Sequence, residues 1–263
     1  MARIFIGASG FSYDDWVGPV YPPGLPKKDW LGFYAREFET TEVNATYYRI
    51  PPPSTFQRMI EKTPAGFRFA VKAFQGLTHE RIAARNATTF TQFCEAIRPL
   101  EDEGRLGCIL AQFPFSFHAT TENRDYLKTV RERLGDRPTA VEFRNDQWLT
   151  EETFALLREL SLGFCCVDEP RLQGLIPPIA VTTSPIAYVR FHGRNAAKWW
   201  QHKHAWERYD YTYKEAELAE WVPKIQELAR QSEQVYLFAN NHWQGQAVGT
   251  ARQLKMLLGL AET

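Results

Sequence analysis

The 263-residue sequence predicts a closed (β/α)8 barrel of parallel strands, and three observations support this fold class. Eight short apolar runs resemble β-strands and are separated, with one exception, by segments of helical periodicity. The length suits a single barrel domain over residues 1–263, because such barrels take about 250 residues. Polar side chains stand at the ends of the predicted strands, where barrels carry their active sites. The competing open sheet usually has a GxGxxG turn, whereas residues 7–10 read GASG.

Composition and charge exclude several other classes of protein. The apolar content of 44% suffices for a globular core, and 31 basic residues balance 31 acidic ones. Without an overall positive field, a nucleic-acid partner is not expected. The sequence shows neither a signal peptide nor an apolar run that could span a bilayer, which predicts a cytoplasmic protein without a membrane partner. The four cysteines lack metal-binding spacing, and nothing indicates the oligomeric state.

The first half of the chain alternates regularly between strand and helix patterns. Aromatic residues from Trp30 to Phe38 recur at helical spacing, and Pro53 or Ser54 suits the start of the next helix. A Glu-Phe-Arg segment ends the fifth strand, which begins at Thr139. The predicted strands are residues 3–7, 40–44, 67–72, 107–112 and the strand from 139, and the helices between them are 30–38, 54–62, 87–101 and 122–134.

The second half contains the one irregular connection. A helix is predicted after Thr150, since Glu151 and Glu152 in its first turn complement the helix dipole. After the sixth strand, prolines at 170, 177, 178 and 185 make a regular helix unfavourable. The predicted strands are residues 163–168, 187–192 and 235–240, with an aromatic loop at 199–213 and helices at 214–230 and 246–258.

Polar residues collect at the carboxyl ends of the predicted strands, while the earlier part of each strand is mostly apolar. Glu142 and Arg144 are spaced by two, so both side chains should lie on the same face of their strand. In a barrel these ends meet at one rim, which predicts a ligand site there. The strand-end set is Ser9, Glu42, Asn44, Lys72, Gln112, Glu142, Arg144, Asp168, Arg190, His192, Asn240 and Asn241.

Seven short motifs in order resemble the DUF72 (YecE-like) family over essentially the whole chain. This resemblance implies a TIM-barrel fold, in agreement with the strand and helix pattern, but it implies no particular reaction. His79 and Trp148 join the candidate site with these motifs. The motifs are residues 7–13 (GASGFSY), 42–48 (EVNATYY), 78–79 (TH), 112–114 (QFP), 142–144 (EFR) with Trp148, 190–193 (RFHG) and 240–241 (NN) with Gly245.

The first functional interpretation is metal-free acid/base catalysis on a small anionic or polyhydroxylated substrate by a hydrolase, lyase or isomerase. Carboxyl groups with separated pKa values can act as general acid and base, histidine can move protons, and arginine binds carboxylate or phosphate oxygens. The expected catalytic residues are Glu42, Glu142, His192, Lys72 and Asp168. The expected substrate-binding residues are Ser9, Asn44, His79, Gln112, Arg144, Trp148, Arg190, Asn240 and Asn241.

Two alternatives stay open at this point. A divalent metal held by Glu42, Glu142, Asp168 and His192 would make the protein a metal-dependent hydrolase or isomerase. However, the sequence has no HExxH motif, His202 and His204 on a predicted loop are weak as metal ligands, and no cofactor is expected. The protein could instead bind a sugar or single-stranded nucleic acid without turnover, through the aromatic loop at 199–213.

A Schiff base at Lys72 would require a desolvated amine or a neighbouring cation, and a lone lysine at a strand end is far more often an ion-pair partner.

Overall fold

The computed structural model describes residues 2–81 and 83–260, and in that part of the chain eight strands form one sheet. Every pair of hydrogen-bonded neighbours runs parallel. The strands are β1 (Arg3–Ala8), β2 (Thr40–Val43), β3 (Arg68–Lys72), β4 (Leu106–Gln112), β5 (Thr139–Glu142), β6 (Gly163–Asp168), β7 (Ile186–Phe191) and β8 (Gln234–Ala239).

The strand order closes the sheet into a barrel. β1 pairs with β8, and the order then descends strand by strand to β2. β1 and β2, which end this order, are joined by a parallel bridge between Ser9 and Glu42. The barrel is therefore nearly closed, with its strand ends at one rim, and the predicted (β/α)8 fold is confirmed.

Helices surround the sheet in the connections between most strands. None of the helices within residues 2–81 and 83–260 combines the length and apolar character needed to cross a membrane. The helices are α1 (Trp30–Tyr34), α2 (Ala45–Tyr48), α3 (Pro53–Glu61), α4 (Ala83–Asp102), α5 (Thr121–Leu134), α6 (Glu151–Glu159), α7 (Glu215–Ala219), α8 (Val222–Gln231) and α9 (Gln246–Leu257).

The connection between β6 and β7 forms no helix over its described residues 169–185, as its prolines predict. Thr183 fixes this segment to the barrel. Its hydroxyl donates to the Leu162 carbonyl at 2.6 Å and accepts from the Phe164 amide at 2.7 Å. A side chain of the connection thus satisfies backbone groups at the start of β6.

Helix boundaries differ from expectation at two places. α1 ends at Tyr34, and the chain continues through turns instead of completing the helix predicted to residue 38. The helix predicted over 214–230 is divided into α7 and α8. Pro223 stands in the first turn of α8, where its missing amide hydrogen is tolerated, whereas inside one continuous helix it would remove a hydrogen bond.

Aromatic rings fill the barrel interior toward the amino ends of the strands. Phe5 stacks on Tyr236 with ring centroids 4.9 Å apart, and Phe238 packs against Tyr188 at 5.2 Å. All four side chains are fully buried. The Tyr188 hydroxyl donates to Glu42 at 2.7 Å, so this apolar layer ends where a layer of charged side chains begins.

Candidate active site

Arg190, on β7, joins two glutamates from different strands inside the barrel. Its Nη1 donates to Glu142 Oε2 at 2.6 Å and its Nη2 to Glu42 Oε1 at 2.7 Å. Glu42 also accepts from the hydroxyls of Ser9 and Tyr188, each at 2.7 Å. The three charged side chains are at most 2% exposed. Because a buried charge without a partner costs several kcal/mol, the shared guanidinium is what allows both carboxylates to lie here.

Glu142 has a second arginine partner. Arg144 Nε lies 2.7 Å from Glu142 Oε1, as the spacing of two along the strand predicts. Burial alone would raise the pKa of Glu142, but the charges of Arg144 and Arg190 hold it well below its ordinary value. Glu142 is therefore a fixed negative charge that orients two arginines, and it is a poor proton donor at neutral pH.

His192 connects Glu142 to the end of β8. Its Nε2 lies 3.2 Å from Glu142 Oε1, and its Nδ1 lies 2.9 Å from Asn240 Nδ2. The neutral tautomer with hydrogen on Nε2 satisfies both contacts, since the Asn240 amide then donates to Nδ1. Burial, followed by the charge of Arg144, lowers the pKa of His192 to about 3. The ring remains neutral near pH 7, which leaves the expected role of proton shuttle to another group.

Lys72, the last residue of β3, has the most unusual acid/base environment in the site. Its Nζ lies 4.4 Å from the centroid of the Tyr47 ring. No carboxylate of the described residues pairs with it, since the nearby Glu42 and Glu142 are bound to arginines. Burial, followed by the charge of Arg190, lowers the pKa of Lys72 to about 7. An amine with this pKa can exchange a proton or act as a nucleophile near neutral pH.

A cavity of about 1430 Å³ opens at the carboxyl ends of the strands beside these ion pairs. Two buried polar atoms of its wall, Arg190 Nε and Asn44 Oδ1, make no hydrogen bond within the described residues. One is a donor and the other an acceptor, so the wall offers both kinds of contact to a ligand. The predicted site residues that line the cavity are Asn44, Lys72, Gln112, Arg144, Arg190 and Asn240.

Aromatic side chains outside the predicted catalytic and substrate-binding residues form much of the remaining wall. Tyr47 and Tyr48 come from α2, and Trp206 and Tyr209 come from the loop after β7. Trp206 stacks on Trp243 with centroids 3.8 Å apart, which fixes part of the 199–213 loop to the barrel rim. The aromatic content of that loop was visible in the sequence, but its position beside the cavity depends on the closed barrel.

Asp168 lies apart from this cavity, which corrects its expected place in the catalytic group. Its carboxylate accepts from Arg194 Nη2 at 2.7 Å, from the Tyr213 hydroxyl at 2.6 Å and from Trp221 Nε1 at 2.7 Å. Trp221 begins α8, so these contacts lie between the barrel and its outer helices. Asp168 ties the connection after β7 to the sheet.

Glu169, which was not predicted, directly follows β6 and is the acidic residue at this strand end that contacts Arg144. Successive side chains of a strand point to opposite faces, and Asp168 points outward. Glu169 Oε2 lies 3.7 Å from Arg144 Nη1, and Oε1 accepts from the Ile176 amide at 3.0 Å. Burial raises the pKa of Glu169 to about 8 despite the charge of Arg144. The sequence shows two adjacent acids at this strand end but not which of them faces inward.

Trp148 and Asn241 also lie away from the cavity, although both were expected to bind substrate. Trp148 is fully buried, stacks on Phe143 at 4.2 Å and donates to the Phe117 carbonyl at 2.6 Å. Asn241 donates to the Thr250 hydroxyl at 2.9 Å. These contacts hold loops and helices at the rim, so both residues support the site from outside it.

His79 and Ser9 occupy positions next to the cavity wall. The His79 ring lies 5.1 Å from the Tyr47 ring, and its Nδ1 is 2.9 Å from the Thr78 hydroxyl. Burial, followed by the charge of Lys72, lowers the pKa of His79 to about 4. Ser9 lies beneath the cavity, where it donates to a glutamate as described above. Both residues therefore contact wall residues rather than the open space.

The residues that the structure describes do not form a ligand set for the divalent metal of the alternative interpretation. No group of three or more His, Cys, Asp or Glu side chains there is arranged to hold a metal ion. Of the ligands considered from the sequence, Glu42 and Glu142 have arginine partners, and Asp168 lies on the outer side of the sheet.

The architecture defines the class of protein: a parallel (β/α)8 barrel with a cavity at the carboxyl ends of its strands. The family model described as "Protein of unknown function DUF72" matches residues 5–263. The chain therefore belongs to the DUF72 family, and the resemblance seen in its motifs is confirmed.

Relatives and solved structures agree with this assignment. UPF0759 protein YunF of Bacillus subtilis (strain 168) is 31% identical over 271 residues, covering 98% of this chain and 95% of that protein. UPF0759 protein YecE of Escherichia coli (strain K12) is 31% identical over 114 residues, 43% of this chain and 39% of that protein. The crystal structure of a DUF72 family protein (TM1631) from Thermotoga maritima MSB8 superposes with a TM-score of 0.90 at 41% identity, covering 98% of this chain and 99% of that one. The crystal structure of another DUF72 family protein (EF0366), from Enterococcus faecalis V583, superposes with a TM-score of 0.88 at 28% identity, covering 99% of this chain and 97% of that one.

Proposed function

We propose that this protein is an enzyme that performs acid/base chemistry on a small anionic or polyhydroxylated substrate in the barrel-mouth cavity, with Lys72 transferring the proton. The placement of Lys72 carries this proposal. Its amine belongs to the cavity wall, and the neighbouring carboxylates are bound to arginines. A desolvated amine beside a guanidinium loses its proton far more easily than an ordinary lysine. The pKa of about 7 matches what a general acid or base needs at neutral pH.

The charges and unused hydrogen-bonding atoms of the wall support a substrate rich in oxygen. Arg144 and Arg190 supply guanidinium groups, which suit carboxylate or phosphate oxygens. Arg190 Nε is a buried donor without a partner among the described residues, and Asn44 Oδ1 is a buried acceptor in the same position. An anionic oxygen would satisfy the first atom and a hydroxyl group the second.

The two buried glutamates have a supporting role in this proposal. Glu42 and Glu142 hold the guanidinium of Arg190 between them, and Glu142 also holds Arg144. Donors that are fixed before the substrate arrives stabilise developing negative charge without reorganisation. This division of roles differs from the one expected from the sequence, because proton transfer is assigned to Lys72 instead of the glutamates.

Proton uptake on binding tests the proposal directly. An anion bound beside Lys72 favours its ammonium form, so binding of pyruvate or acetate near pH 7 should take up about half a proton per site. Titration calorimetry in buffers of different ionisation enthalpy measures this uptake. The Lys72→Met variant should bind the same ions more weakly and without uptake.

Matched arginine variants control this experiment. Arg144→Gln should weaken binding by about tenfold or more, because it removes a charge-assisted contact. Arg171→Gln changes an arginine whose side chain is 66% exposed and should have no effect. Binding that takes up no proton, or uptake that persists in Lys72→Met, would assign the acid/base group elsewhere and overturn the proposal. So would failure of the wild type to bind any small carboxylate or phosphate.

A further inference from the structure

We infer that Lys72 forms a covalent imine with the carbonyl carbon of its substrate, so that the substrate is an anionic aldehyde or ketone such as an oxo acid or a sugar-like phosphate. This inference rests on the proposed function, because it uses the same cavity and the same amine. It adds the carbonyl group to the substrate class and gives Lys72 a nucleophilic role.

The first support is that Lys72 is reachable and has no carboxylate partner in the part of the chain that the structure describes. The amine must be neutral to attack a carbonyl carbon, and an ion-paired ammonium is not nucleophilic. Lys72 lines the cavity, and the carboxylates around it are held by Arg144 and Arg190. Lys203 lines the same cavity but is exposed to solvent. The cavity therefore contains two lysines of contrasting character.

The second support is a donor for the oxygen that becomes negative during attack. As nitrogen adds to the carbonyl carbon, the electrons of the C=O bond move onto oxygen. Arg190 Nε is a buried donor that the described residues leave unused, and its guanidinium is held rigidly by Glu42 and Glu142. A fixed cationic donor beside the nucleophile stabilises such an oxygen better than the initial carbonyl.

The third support is the ring of Tyr47. Lys72 Nζ lies over this ring at 4.4 Å from its centroid. A protonated imine is also a cation, so the face of the ring can stabilise the product as it does the ammonium. The imine thus retains a favourable contact that a neutral adduct would lose.

The reaction balances without any further reactant. The ammonium first gives up one proton to water, the neutral amine adds to the carbonyl carbon, and a second proton moves from nitrogen to oxygen. The proton given up first then returns to the hydroxyl group of the carbinolamine, which leaves as water. Overall, one ammonium and one carbonyl compound give one protonated imine and one water molecule, with no change in oxidation state. The anionic group of the substrate remains free to contact Arg144 and is unchanged.

Reductive trapping of the full-length protein tests the inference. Pyruvate or glyceraldehyde 3-phosphate is added near pH 7 with cyanoborohydride, which reduces an imine to a stable secondary amine, and modified lysines are located by peptide mass spectrometry. Lys72 should be modified at least about tenfold more than Lys203 in the same sample, because burial beside Arg190 lowers the pKa of Lys72 to about 7 and the neutral amine is the nucleophile. This comparison needs no variant and is insensitive to folding defects.

The Lys72→Met variant, checked for wild-type circular dichroism and melting, should lose the main adduct and retain only weak surface labelling. Modification that spares Lys72 in the wild type overturns the imine. If the probes bind with proton uptake but no Lys72 adduct forms, the imine fails while the proposed acid/base function stands. If the probes neither bind nor react at Lys72, both fail.

Discussion

Two buried ion-pair clusters lie on opposite sides of the barrel wall. The inner cluster places Arg190 between Glu42 and Glu142 beside the cavity. The outer cluster places Asp168 against Arg194, between the sheet and the helices. Both join a strand-end carboxylate to an arginine, so from the sequence they look equivalent.

They differ in how completely their hydrogen-bonding atoms are used. Each oxygen of Asp168 has two or three donors: Oδ1 contacts Arg194 Nε and Tyr213, and Oδ2 contacts Arg194 Nε and Nη2 and Trp221. In the inner cluster, Arg190 Nε has no partner within the described part of the chain. A saturated cluster can only hold elements together, whereas an unsaturated one beside a cavity can also bind a ligand. Substitutions in the two clusters should therefore have different consequences.

The largest effect is expected from Arg190→Met. It leaves Glu42 and Glu142 buried without their shared countercharge, which should lower the free energy of unfolding by about 3–5 kcal/mol. Urea denaturation followed by tryptophan fluorescence measures this loss. Arg190→Lys keeps one charge but cannot contact both glutamates as the guanidinium does. Its free energy of unfolding should therefore lie between those of Arg190→Met and the wild type. A loss under about 1 kcal/mol would show that the inner cluster does not depend on Arg190.

A smaller and purely structural effect is expected from Asp168→Asn. The amide presents hydrogens toward Arg194 or Trp221 in place of an acceptor, so unfolding should become easier by about 1–3 kcal/mol. The dissociation constant for pyruvate, measured by calorimetry, should stay within about twofold of wild type, since the two clusters share no partner. Weakened binding with unchanged stability would instead return Asp168 to the catalytic group predicted from the sequence.

The contrast between the clusters also shows what could be predicted from sequence. The barrel followed from the alternation of eight strand patterns with helices. Glu142 and Arg144 were expected on one face because they are spaced by two, and they form an ion pair at 2.7 Å. At the end of β6, however, two acids are adjacent and necessarily point to opposite faces. No residue spacing there indicated that Glu169 faces inward while Asp168 faces outward.

Other features of the site were beyond sequence reasoning for related reasons. Motif resemblance selected Trp148 and Asn241 but cannot distinguish a residue that supports a loop from one that contacts a ligand. The low pKa of Lys72 arises from burial and from Arg190, which is distant in the chain and close only after the barrel forms. Such effects depend on tertiary packing, which local patterns do not contain.

A third, smaller effect is expected from Glu169→Gln, which probes the edge of the inner cluster. The folded-state pKa of about 8 exceeds the ordinary 4.5, so the folded protein holds this proton more tightly. The contribution of Glu169 to stability is therefore full below about pH 4.5 and is lost as the pH rises toward 8. Between these values the wild type should lose about 1 kcal/mol for each pH unit relative to Glu169→Gln. If the free energies of unfolding of the two proteins, measured in urea, changed in the same way with pH, the raised pKa of Glu169 would be contradicted.

The pKa of Lys72 itself tests the central claim most directly. Protein labelled with ¹³C at lysine Cε is titrated by NMR, and the Lys72 signal is identified by its absence from the Lys72→Met spectrum. A midpoint of about 7, well apart from the other lysines, is the predicted result. A midpoint near the ordinary 10.5 would contradict the account, because Lys72 would then be a permanently charged residue with no acid/base or nucleophilic role at neutral pH.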